Sequence, residues 1–77
     1  MTKLLEFADS SAIAKISLDD ENNKVGVAFT SKPDNFYLFE CDDVSEFESM
    51  VNDVVNAKES LGKLIAISRK DGTLVAV

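Results

Sequence analysis

Histidine and tryptophan are absent from the 77 residues, and the chain holds one cysteine, one proline and three glycines. Without histidine it lacks the commonest general base and the commonest metal ligand. A single cysteine, Cys41, allows neither an intramolecular disulfide nor a cysteine-based zinc site within one chain. Small secreted domains are normally stapled by several bridges, so a reducing cytoplasm is the expected compartment. Gly26, Gly62 and Gly72 lie too far apart to build a phosphate-cradling loop. No apolar run has the length of a signal peptide or of a membrane span of about 20 residues, and Glu6 and Asp9 interrupt the start. These absences predict a soluble protein with no cofactor, no metal and no membrane partner.

Positive charge is also scarce. Eight basic residues stand against fourteen acidic ones, a net charge of −6. The imbalance is uneven: Met1 to Ala57 has four basic and twelve acidic residues, a balance of −8, whereas Lys58 to Val77 has four and two, a balance of +2. Apolar residues make up 45% of the chain, which is ordinary for a globular protein and too high for a disordered one. The length allows a single domain over residues 1–77. At this size about 60% of the unfolded surface is buried, so the stability margin is modest.

Period-two patterning marks the first elements. From Ser11 to Leu18, Ala12, Ala14, Ile16 and Leu18 alternate with Ile13, Lys15 and Ser17, the signature of a strand with one face on a core. A polar run, Asp19 to Asn23, supplies residues that favour turns. Alternation resumes over Lys24–Thr30, with Val25, Val27 and Phe29 on one face, so the two strands read as a hairpin. After the Pro33 turn, Asn35–Cys41 predicts a third strand that is apolar on both faces. Phe36 and Leu38 point one way, Tyr37 and Phe39 the other. Such a strand is covered twice, by the N-terminal Leu4, Leu5 and Phe7, the C-terminal segment or a second copy, or it meets a partner on its second face.

Phe47, Met50, Val51, Val54 and Val55 recur at helical spacing and predict an amphipathic helix over Val44–Lys58, with Gly62 as the break. Ser45 with Glu48 fits a capping box, and Asp43 with Glu46 offers an alternative start. The tail predicts a hairpin of Leu64–Ser68 and Thr73–Val77 around Asp71-Gly72. Its alternative is a short second helix over Glu59–Lys70, with Leu61, Leu64, Ile65 and Ser68 on one face. The expected fold is therefore α+β: a small antiparallel sheet of three core strands plus the C-terminal hairpin, with one amphipathic helix packed on one face. That helix should lie on the sheet face bearing Val25, Val27 and Phe29.

Catalytic arrangements are thin. Ser10 and Ser11 have no histidine to activate them, and Asp9, Ser10 and Ser11 suit a lead into the first strand through side-chain-to-backbone bonds. Carboxylates at Asp42 and Asp43 raise the pKa of a neighbouring thiol, which disfavours a reactive Cys41. The oxygen-rich Asp19–Asn23 run lacks the spacing of a calcium loop. No enzyme is expected.

Several short segments occur in a specific order: Asp9-Ser10-Ser11-Ala12-Ile13-Ala14-Lys15-Ile16, Val25-Gly26-Val27-Ala28-Phe29, Tyr37-Leu38-Phe39, Val44, Ala57 and Ser60-Leu61-Gly62-Lys63. In that order, from about Phe7 to Ile65, the chain resembles the KTSC domain, found as small single-domain bacterial and phage proteins and C-terminal to some lysyl-tRNA synthetases. The resemblance implies an antiparallel sheet with a helix, and a family whose biochemical role is not established but for which RNA binding has been considered. Tyr37-Leu38-Phe39 stands where the family has Y-x-Y, the usual aromatic-Asn pair is missing after Lys63, and Ile67–Val77 extends past the family's end. The first two departures weaken any carry-over of an RNA role.

Two functions of different class are consistent with these features. One is a small non-enzymatic regulatory domain that binds another protein, such as a phage-encoded modulator of a host protein. Tyr37 and Phe39 are then the candidate partner-binding residues, with a homo-oligomer through the aromatic strand as a variant. The other is an RNA-binding accessory domain using sheet aromatics together with Lys58, Lys63, Arg69 and Lys70. A net charge of −6 opposes the second, because phosphate contacts usually supply most of the affinity.

Overall fold

A computed structural model of the chain describes residues 2–7 and 12–77. The described residues form five strands and two helices in the order β1 (Thr2–Glu6), β2 (Ile13–Asp19), β3 (Lys24–Phe29), β4 (Phe36–Glu40), α1 (Val44–Asn56), α2 (Leu61–Asp71) and β5 (Val75–Ala76). All strand pairs are antiparallel, and the sheet runs in sequence order from β1 to β5. The α+β class and the antiparallel sheet are as the sequence predicts. The expected lead-in at Asp9, Ser10 and Ser11 lies outside the described residues.

The β2–β3 hairpin closes through Asp19, whose carboxylate accepts from the backbone N–H of Glu21 and Asn22 and from the Asn22 side chain. Those bonds hold the Asp19 pKa below the ordinary aspartate value. Asn23 completes the turn at φ 55, a left-handed conformation that asparagine tolerates. The register shifts between Ile13 and Lys15. This bulge returns Ile13 to the face of Ile16 and Leu18, all three buried, which simple alternation had split.

One core holds the domain. Ile13, Ile16, Leu18, Val25, Val27 and Phe39 from one sheet face pack with Phe47 and Val51 of α1 and with Leu61 and Ile65 of α2. Both helices therefore cover the same side of the sheet. In α1, Met50 and Val54 are partly buried at the margin, whereas Val55, which the helical spacing placed on the same stripe, is exposed.

Four expectations are corrected. The cap of α1 is Asp43, which accepts from the Glu46 N–H at 3.0 Å, so Ser45 is not the cap and lies inside the helix. The helix ends before Lys58. Glu59 N–H donates to Val54 O and Lys58 N–H to Val55 O, with Lys58 left-handed at φ 56. This is a Schellman ending in which a lysine occupies the place where glycine is usual. The tail hairpin gives way to its alternative, a second helix, α2, capped by Ser60 accepting from Lys63 N–H and ended by Gly72 at φ 89. Asp71-Gly72 thus stops a helix rather than turning a hairpin, with Asp71 accepting from Thr73 N–H. Finally, the N-terminal Leu4, Leu5 and Phe7 do not cover the second face of β4: Thr2–Glu6 is an edge strand beside β2, Leu5 and Phe7 pack against the core on the helix side, and Leu4 is exposed.

Candidate functional site

Strand register assigns each side chain to a face. Opposed residues across an antiparallel sheet share a side. On the side away from the helices, one row reads Leu4, Ser17, Gly26, Leu38, and the next reads Glu6, Lys15, Ala28, Phe36. No helix covers these rows. Leu4 is 51% exposed, Leu38 54% and Phe36 40%, and Val75 and Val77 are exposed beside them.

Gly26 lies in the middle of this face for a steric reason. A Cβ there would lie 2.4 Å from Ser17 Oγ, 3.2 Å from Phe36 Cδ1 and 3.5 Å from Leu38 Cδ2. The missing side chain lets Phe36 and Leu38 lean inward across β3, which leaves Ala28 fully buried. The two apolar side chains partly cover the sheet themselves and still present their outer surfaces to solvent.

The sequence-selected residues fall elsewhere. Phe39 is on the helix side, 4% exposed, with the Arg69 guanidinium 5.6 Å from its ring centroid. It is a core residue, placed there because β4 alternates and the helices cover its side. Tyr37 shares that side but lies beyond the helices' reach, half-exposed, and meets Phe29 edge-on at 5.6 Å. The pair that faces outward on the open side is Phe36 and Leu38. Sequence patterning distinguishes the two pairs but cannot say which pair the helices take.

An open groove of about 620 Å³ wraps around the end of β4, lined by Tyr37, Phe39 and Arg69 on one side and Phe36 and Leu38 on the other. The basic residues are spread: Lys58 follows the end of α1 in a left-handed conformation, Lys63 stands in the first turn of α2, and Arg69 and Lys70 stand in its last turn. Lys63 and Lys70, seven apart, share a helix face, while Arg69 turns toward Phe39.

A second hollow, about 290 Å³, lies where α1 begins and α2 ends, lined by Cys41, Asp42, Asp43, Glu46 and Asp71 among others. Burial pushes the Cys41 thiol up; a hydrogen bond from the Asp43 N–H pulls it partway back, and Asp42, Asp43 and Glu46 each add a smaller push upward. Such a thiol is a poor nucleophile. Among the described residues no group of three or more histidine, cysteine, aspartate or glutamate side chains is placed to hold a metal ion. Among the same residues no helix is long and apolar enough to cross a membrane. No family model, no curated protein and no solved structure matches this chain.

Proposed function

We propose that this chain is a non-enzymatic protein-binding domain, KTSC-like and cytoplasmic, that meets its partner on the open side of the sheet. One observation carries the reading: both helices pack on one face, and the other displays Phe36 and Leu38 over Gly26, with Leu4 exposed in the same row beyond Ser17. Exposed apolar side chains clustered on a sheet mark interaction surfaces more often than scattered ones do. The net charge of −6 favours a basic partner, since complementary fields steer encounter.

The test is a double substitution, Phe36→Ser with Leu38→Ser. Circular dichroism should show a folded protein, and affinity capture from host lysate should lose a protein that wild type retains. Titration with labelled single-stranded RNA is the counter-test. Saturable binding with a steep salt dependence, weakened by substituting Lys63 and Lys70, would replace this reading with nucleic-acid binding.

A further inference from the structure

The outer edge of β1 has a property that the proposed binding face does not need. Phe7 N–H donates to Ala14 O at 2.9 Å, and the β1–β2 register is unbroken from Thr2↔Asp19 to Glu6↔Lys15. Backbone groups alternate sides along an antiparallel strand. Lys3, Leu5 and Phe7 therefore direct their N–H and C=O toward β2, and Thr2, Leu4 and Glu6 direct theirs outward. No described residue accepts from or donates to those outward groups. At the opposite edge of the sheet, β5 pairs with Phe39 and Glu40 and Val77 N–H reaches Leu38 O, so the β4 edge is largely occupied.

The devices that usually blunt an edge are weak in β1. It holds no proline and no bulge, and Lys3 is drawn back toward the helix layer by its ion pair with Glu48. At the centre stands Leu4, 51% exposed.

We propose that β1 pairs antiparallel with β1 of a second copy of this chain, centred on Leu4. In that register Leu4 opposes Leu4, Thr2 opposes Glu6, and Lys3 opposes Leu5. Every outward-directed residue then faces another outward-directed residue, so the ladder closes without moving the backbone. No like charges stand opposite each other. Shifting the centre to Lys3 would oppose two lysines, which costs pairing energy. A two-fold axis through Leu4 makes the contact isologous and closed. The two sheets join into one, both helix layers lie on the same side, and the two open faces become one continuous surface.

The experiment measures mass by analytical ultracentrifugation from micromolar to millimolar concentration, with amide hydrogen exchange at both ends of the range. Wild type should rise from 8.4 kDa toward twice that mass. The amides of Leu4 and Glu6 should become protected only at high concentration. Leu4→Pro removes an outward N–H and no bond to β2, and proline is tolerated on a strand edge that faces away from the ladder. That variant should remain monomeric throughout, with an unchanged circular dichroism spectrum. Leu4→Lys, which places two cations on the axis, should do the same and covers the case in which proline disturbs the strand. A monomer at every concentration would overturn the proposal. So would a dimer that survives both Leu4 variants, or one lost in the Phe36→Ser, Leu38→Ser variant instead, which would locate self-association on the open face. Because the open-face variant leaves β1 intact, failure here and failure of the binding-face reading give different results.

Discussion

The two sides of this sheet are built from the same strands and differ in almost every physical respect. The helix side carries Ile13, Ile16, Val25 and Val27, all fully buried, and is sealed by Phe47 and Val51. The open side carries leucine and phenylalanine too, but around Gly26 and Ser17, with charged Glu6 and Lys15 in the adjoining row. Apolar content alone does not separate a core from a surface. What separates them is whether a second layer completes the packing, and here both helices complete only one side.

That contrast can be broken at its strongest point first. Phe47→Ala removes the largest fully buried ring from the sealed side and should cost about 3–5 kcal/mol, most of what a small domain has. Chemical denaturation measures it, and a near-wild-type midpoint would mean that α1 does not seal the sheet. Next, on the open side, Gly26→Val should cost about 1–3 kcal/mol, because its side chain must displace Ser17 Oγ and the Phe36 ring. Loss of stability there, with Phe36 more exposed by fluorine NMR on labelled phenylalanine, would show that the open side is ordered by packing of its own.

A smaller effect tests how the seal is anchored. Asp43→Ala should cost about 1 kcal/mol through the lost cap, while Ser45→Ala should be close to silent. The reverse ranking in thermal melts would move the start of α1.

The pH dependence follows from the turns. Asp19 and Asp71 have carboxyls held below the ordinary range, chiefly by hydrogen bonds to Asn22 and Thr73 respectively. A depressed folded pKa gives stability that is present above the unfolded value and lost as pH falls through the folded one. Both contributions are thus intact at neutral pH and disappear on the acid side. Asp19→Asn should flatten the acid limb of a stability–pH curve and leave the alkaline limb alone. The Cys41 thiol has the opposite sign. Its raised pKa favours the folded state below the unfolded value, and that contribution fades as pH rises through the folded one. On the open side Leu38→Ser should cost about 1 kcal/mol, since it truncates a side chain that is half exposed and half packed over Gly26.

Much of this architecture is legible without coordinates. Alternation over β2 and β3 gives the central hairpin, because a strand with one buried face must repeat every second residue. The three- and four-residue spacing of Phe47, Met50, Val51 and Val54 gives α1 for the analogous helical reason. The membership of α2's inner face, Leu61, Leu64, Ile65 and Ser68, is likewise readable once a helix is assumed. The choice of helix over hairpin is not, because isoleucines and Asp-Gly suit a strand and turn locally, and only packing beside α1 decides. Lys58 misleads in a similar way: a left-handed lysine gives no sign of a helix end in the sequence, which points to Gly62 as the break, whereas Gly62 lies against Ala12 inside the first turn of α2.

The candidate site divides along the same line. Sequence alone determined that β4 has apolar side chains on both faces, so that one pair must be covered and the other must meet something else. Tertiary structure decided which pair. Tyr37 and Phe39 have the larger aromatic signal, yet the helices take their side and bury Phe39, leaving Phe36 and Leu38 outside. An alternating strand carries no label for inside, because its two faces are related by a one-residue shift, and only the direction from which the helices pack breaks that equivalence.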